Sequence, residues 1–294
     1  MNETRKIPTC KGPDPDTRTP RLRPPPGAVD AHCHVFGPAA VFPYAPDRAY
    51  TPPDAPFEGL QKLHRILGID RAVIVHASCH GSDMTVTLDA IARSNGTMRG
   101  VAVVDPGITD KELARLHEGG IRGVRFNFVK HLGGMPDMDF FKRVLAQIEP
   151  MGWHVVLHLD AEDIVPLAPT IEAIRVPFII DHMGRVKAKN GLDQPAFKQL
   201  LELMKNPLAW VKICGAERIS SAGAPFLDAV PYAKALLAAA PERVLWGTDW
   251  PHPNISGDMP NDGDLVDLLG ESAPDEATRK QVMVDNPNRL YWAD

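Results

Sequence analysis

The segment VDAHCHVFG, residues 29–37, places His32 and His34 two residues apart at the end of a short apolar run. On a strand, positions i and i+2 share a face, so the two imidazoles stand side by side while Cys33 points away. Other apolar runs end in comparable residues: RAVIVHAS in His76 and Ser78, WHVVLHLD in His158, PFIIDHMG in His182 and RVLWGTDW in Asp249. Arginines accompany them at Arg125 in GVRFNF, at Arg185 beyond His182 and at Arg218 beyond AWVKIC. Imidazoles and a carboxylate can move protons, and guanidinium forks take two oxygens of a carboxylate or sulfonate at once. Charged side chains are almost never buried unpaired, so Arg125, His182 and Asp249 within apolar runs need a shared polar cavity. A lone histidine in a strand is more often a hydrogen-bonded core residue, the role expected of His76 and His154.

The elements that must position these residues form an alternation. Eight β-rich runs occur in order: AVDAHCHV, RAVIVHAS, MRGVAVVD, GVRFNF, WHVVLHLD, PFIIDHMG, AWVKIC and RVLWGTDW. Stretches with helical spacing separate them, such as Thr109 to Glu118, where TDKE offers a capping box and EGG a stop, and Met84 to Ser94. Strands alternating with helices imply a parallel sheet. Eight such units in a chain of 294 residues predict an α/β fold of the (β/α)8 TIM-barrel type, with a doubly wound sheet as the alternative. Catalytic groups of a barrel sit at the C-terminal ends of its strands, where these polar residues fall. Neither G-x-G-x-x-G nor G-x-x-x-x-G-K-[ST] is present, which weakens dinucleotide and P-loop readings.

Composition narrows the partners. With 44% hydrophobic and 23% charged residues the chain is in the ordinary globular range, and a net charge of −5 argues against nucleic-acid and membrane-surface roles. No apolar run is long enough to span a bilayer. The four scattered cysteines read as reduced thiols, and with no apolar core of a signal peptide the expected location is cytoplasmic. Residues 1–27 hold seven prolines and predict an extended N-terminal arm, which leaves residues 28–294 as the barrel domain.

Taken together, PPPGAVDAHCHVFGP, ASCHG, LHEGGIRGVRFNFVK, DHMGR, WGTDWPHPN and NPNRLYW resemble the amidohydrolase superfamily, in particular its 2-pyrone-4,6-dicarboxylate lactonase family. The resemblance implies a hydrolase of a small anionic lactone in aromatic-compound degradation, with Asp249 activating water and His32, His34 and His182 taking up the oxyanion. It implies a substrate pocket of Tyr50, Ser78, Arg125, His131, His158, Arg185, Arg218 and Asn254. His131 and His158 depart from the family, which normally has arginine and tyrosine there. That departure favours a sister activity, hydrolysis of 4-sulfomuconolactone to maleylacetate and sulfite, over hydrolysis of the pyrone dicarboxylate.

No cofactor is expected, because the family's lactonase branch works without metal and the clustered arginines would repel a dication. One zinc ion on His32, His34, His158, His182 and Asp249 is the alternative, and a superfamily decarboxylase would use those same positions. A non-enzymatic anion-binding barrel would explain the arginines without requiring Asp249 in the same cavity.

Overall fold

Strands form where β-branched and aromatic residues concentrate. A computed structural model describes residues 7–255 and 257–293, and in it all eight apolar runs carry a strand. These are β1 (Val29–Cys33), β2 (Arg71–Val75), β3 (Met98–Ala102), β4 (Ile121–Asn127), β5 (His154–His158), β6 (Phe178–Ile180), β7 (Ala209–Lys212) and β8 (Val244–Leu245). Each pairs in parallel with the next in chain order. The eighth strand is short, and the ring is completed by backbone bonds across the first–last seam: Ala31 N–H to Trp246 O at 2.9 Å and Asp249 N–H to His32 O at 2.7 Å. This is a (β/α)8 barrel.

The return segments are helical: α1 (Phe57–Leu67), α2 (Thr85–Arg93), α3 (Asp110–Glu118), α4 (Met138–Ile148), α5 (Ala161–Glu172), α6 (Pro195–Leu203), α7 (Ala216–Ile219), α8 (Val230–Ala239), α9 (Asp262–Ser272), α10 (Glu276–Lys280) and α11 (Asn286–Tyr291). The capping box at Thr109 is present: its hydroxyl accepts from Glu112 N–H at 3.3 Å, and Glu112 accepts from Thr109 N–H at 3.0 Å. No helix among the described residues is long and apolar enough to cross a membrane.

Two apolar layers set the depth of the polar one. Strand residues of one parity pack against the helices. Those of the other parity, including Val73, Val156, Ile179, Trp210 and Leu245, meet Tyr291 of α11 in a separate cluster that fills the barrel. Two residues further along the same faces stand His158 after Val156 and Lys212 after Trp210, so the polar layer lies directly above an apolar plug.

Except for β4, the strands are shorter than the apolar runs, which corrects two placements. His182 lies in a turn after β6 and Asp249 four residues beyond β8, both with left-handed backbone, φ 51° and 64°. Such backbone is strained for non-glycine residues and is held by its surroundings. His76 donates to or accepts from Thr87 Oγ1 at 2.8 Å, as a core histidine should. His154 is buried too, but neither ring nitrogen has a hydrogen-bond partner, and it packs edge-on against Tyr291 instead.

Part of the N-terminal arm, residues 1–6, falls outside the described residues. From residue 7 the chain follows its own barrel: Cys10 N–H donates to Thr51 O at 3.1 Å, Cys10 Sγ lies 3.3 Å from Asn254 Oδ1, and Arg21 pairs with Asp267 at 2.9 Å.

Gly247 lies on the seam where the two chain segments come closest. A Cβ there would sit 2.5 Å from His32 N and 2.7 Å from His32 Cβ, backbone-anchored atoms that cannot swing aside. Replacing Gly247 with Ala is expected to destabilise the protein by about 1–3 kcal/mol, read from the urea unfolding midpoint, and to reduce turnover further by displacing His32.

Candidate active site

The seam brings the first and last strands' chemistry together. Asp30, fully buried on β1, accepts from His32 N–H (3.1 Å), Thr248 N–H (3.0 Å) and Thr248 Oγ1–H (2.6 Å), and its second oxygen lies 3.1 Å from His64 Nε2 of α1. With that tie in place, three histidine Nε2 atoms converge on one carboxylate oxygen, Asp249 Oδ1: His34 at 3.3 Å, His32 at 3.5 Å and His182 at 4.0 Å. The other oxygen, Oδ2, accepts from Arg218 Nε at 2.7 Å and lies 2.5 Å from Nη2, which donates to Pro253 O at 3.1 Å.

One pocket at the barrel mouth is lined by His34, Tyr50, Ser78, Arg125, His131, His158, His182, Arg185, Arg218, Asp249 and Asn254. All the residues expected from the sequence are therefore gathered there except His32, which is fully buried beneath it against Asp249. The three arginines each have an internal partner: Arg125 with Asp181 at 3.0 Å, Arg185 with Asp160 at 3.0 Å and Arg218 with Asp249. A guanidinium has five N–H donors, so these pairings orient the forks and leave donors for a ligand.

Burial works to raise the Asp249 carboxyl, but the adjacent Arg218 guanidinium, with the surrounding histidines, holds it well below the usual carboxylate range. It is ionised at neutral pH. Burial, followed by the Lys212 ammonium, lowers His32 to about 4. Burial also pushes His182 and His158 well below their ordinary value, in His158 reinforced by Arg125, and it lowers His131 with help from Arg185. The mouth therefore presents neutral imidazoles beside fixed guanidinium charge. His158 Nδ1 faces Asn127 Oδ1 at 3.0 Å and so carries the proton, which leaves its buried Nε2 as a lone pair.

Several functional neighbours were not read from the sequence. Asp181, between Arg125 and Lys212, is fully buried; burial raises its carboxyl, but Lys212, His32 and Arg125 together hold it well below the ordinary range. The signal was available, since Asp181 and Lys212 interrupt apolar runs just as Arg125 does. His252, in the WPHPN loop, is fully buried, with Nε2 3.1 Å from Asp262 Oδ1 and Nδ1 3.9 Å from Glu217 Oε1. Glu217 in turn lies 3.5 Å from Arg218 Nε, so this chain braces the arginine that holds Asp249.

Ligand atoms of His32, His34 and Asp249 lie within 4.8 Å of one another, close enough for a single ion. Their protons and charges do not suit it. Arg218 already neutralises Asp249, and a cationic Lys212 Nζ stands 3.0 Å behind His32. His158, the fifth expected ligand, is not part of that group. These residues do not fit a zinc centre.

Fold and site together define a parallel (β/α)8 barrel with a histidine–aspartate centre and an arginine-lined mouth at the C-terminal ends of its strands. Residues 29–292 match the family described as amidohydrolase, and the chain belongs to that family. It is 45% identical over 287 residues to the 4-sulfomuconolactone hydrolase of Hydrogenophaga intermedia, covering 97% of this chain and 95% of that protein. It is 44% identical over 284 residues to the 2-pyrone-4,6-dicarboxylate hydrolase of Comamonas testosteroni, covering 94% and 93%. Among solved structures it is similar to a protein of Pseudomonas putida provisionally assigned as a 2-pyrone-4,6-dicarboxylic acid hydrolase, with a TM-score of 0.81 and 32% identity over 90% of this chain and 97% of the other.

The buried His252 makes stability depend on alkaline pH. Burial opposes its charge, yet Asp262 and Glu217 raise it from 6.5 to about 10. A folded-state value above the unfolded one stabilises fully below about pH 6.5, and that contribution is lost as pH rises towards 10. Replacing His252 with Gln is expected to cost about 3–5 kcal/mol near neutrality and to flatten the decline in that window, measured by denaturant unfolding across pH.

Proposed function

We propose that this protein hydrolyses a multiply anionic lactone, with 4-sulfomuconolactone as the preferred substrate and the pyrone dicarboxylate as the second. The observation that carries the reading is the convergence of three imidazole Nε2 atoms on Asp249 Oδ1 beneath Arg125, Arg185 and Arg218. The two relatives described above are lactone hydrolases by name and match nearly the whole chain, which supports the same chemistry here.

In this mechanism the arginine forks seat the substrate's carboxylate and sulfonate, which brings the ester carbonyl to the floor of the pocket. Asp249, ionised and fixed by Arg218, takes a proton from water as the water oxygen bonds to the carbonyl carbon. Negative charge gathers on the carbonyl oxygen, where His32, His34 and His182 act as its oxyanion partners. The carbon–oxygen bond of the ring breaks, and the proton held by Asp249 returns to the departing oxygen. In 4-sulfomuconolactone that oxygen sits on the sulfonated carbon, so the product is a hydroxysulfonate that expels sulfite to leave a ketone, giving maleylacetate.

Neutral His131 and His158 stand where the family has arginine and tyrosine. They add no charge on that side of the pocket. A ligand whose anionic groups lie close to Arg125, Arg185 and Arg218 fits this better than one that needs a further bidentate arginine.

Loss of lactone absorbance, followed in parallel for the two candidate substrates, tests the reading: turnover of the sulfonated lactone is expected to exceed that of the pyrone, and no turnover of either would refute it. Asp249→Asn should retain binding of the substrate and lose roughly 10²–10⁴-fold in kcat. Because Arg218 depresses Asp249, the acid limb of kcat/KM should lie below the ordinary carboxylate range and move to higher pH in Arg218→Gln. We propose further that no metal is required. Dialysis against a chelator should leave activity unchanged, whereas stoichiometric zinc by elemental analysis with loss on chelation would reverse that conclusion.

A further inference from the structure

His32 Nε2 lies 3.5 Å from Asp249 Oδ1 and has no hydrogen-bond partner aligned with it. Its other nitrogen is occupied: Nδ1 is 3.0 Å from Lys212 Nζ. Lys212 is fully buried near the end of β7, and its Nζ is 3.3 Å from the Asp181 carboxylate, which is itself paired with Arg125. A lysine beside a buried carboxylate is an ammonium, with three donors and no lone pair. The atom it faces must therefore accept, so the proton of the His32 ring is on Nε2. Asp181 Oδ1 also lies 3.3 Å from His32 Nδ1, but Lys212 Nζ is nearer at 3.0 Å and can only donate, so Nδ1 accepts from the lysine.

From this geometry we infer that Lys212 is a positioning residue that fixes His32 as the Nε2–H tautomer and thereby closes the H-x-H pair to divalent metals. The two histidines of the motif are supported in opposite ways. His34 Nδ1 donates to Val75 O at 2.7 Å, the support that usually accompanies a metal-binding histidine, while its Nε2 lies 3.3 Å from Asp249 Oδ1. His32 has a donor in that place. Its Nε2 can give a hydrogen bond to a developing oxyanion and cannot coordinate a cation. A single buried lysine thus turns a motif whose spacing suits zinc into a hydrogen-bond donor. The donor half of the inference rests on the proposed lactone hydrolysis, and the metal half does not.

The test uses the full-length protein labelled with ¹⁵N-histidine, with the His32 resonances assigned by their loss in His32→Gln. At neutral pH the long-range ¹H–¹⁵N spectrum should show His32 uncharged with its proton on Nε2. A proton on Nδ1 overturns the inference whatever the substrate proves to be. In Lys212→Met the ammonium is gone and Asp181 becomes the natural acceptor for Nδ1–H. Zinc affinity, titrated with the metal alone, should then rise about 10–100-fold, while kcat for the lactone falls at least about tenfold with KM little changed. A folded Lys212→Met protein with the wild-type tautomer and wild-type zinc affinity would overturn the inference. If that variant fails to fold, the wild-type spectrum still decides. A wild-type Nε2–H tautomer with no activity on either lactone would uphold the role of Lys212 and remove only the substrate assignment.

Discussion

The carboxylate of Asp30 is the constraint on which the site depends. It is buried without exposure, which is costly for a charge, and three donors from β1 and the segment after β8, with His64 of α1 beside it, offset that cost. By accepting from both His32 N–H and Thr248 N–H it joins the first and last strands where the formal strand pairing is thinnest, since β8 is only two residues long. His32 and Asp249 lie 217 positions apart in sequence and meet because of this seam.

Above the seam, charge is layered in pairs. Lys212, Asp181 and Arg125 form the deepest set, Arg218 and Asp249 the next, and Arg185 with Asp160 the rim. Buried ion pairs contribute little net stability, because desolvation cancels much of their attraction. Their consequence here is orientation. Each guanidinium is oriented by a carboxylate partner, and Arg218 holds Asp249 ionised. The Asp262–His252–Glu217 chain extends the same pairing of charges behind Arg218.

Much of this was legible in the amino-acid order. Seven of the eight strands lie within the expected apolar runs and β4 starts two residues before its own, at Ile121, and the rule that a charge in an apolar strand needs a partner located Arg125 in the shared cavity. Applied evenly, the same rule would have flagged Lys212 in AWVKIC and Asp181 in PFIIDHMG, the two residues that decide the state of His32. His252 carries no local sign of burial, because prolines on both sides suggest an exposed loop, whereas Asp262, ten positions later, draws the imidazole inside. His154 was read correctly as a core residue but not as one without a hydrogen bond, since its neighbour Tyr291 comes from the far end of the chain.

By itself, then, the order of residues determined the element types, because strand and helix periods are local, and it determined the chemical inventory, because residue identity is given. Only the tertiary structure decided the pairings: which carboxylate each arginine holds, that Asp249 receives three imidazoles, and that His32 has an ammonium behind it. Tautomer and ionisation follow from contacts of a few ångströms between residues far apart in the chain, and no local pattern encodes such distances.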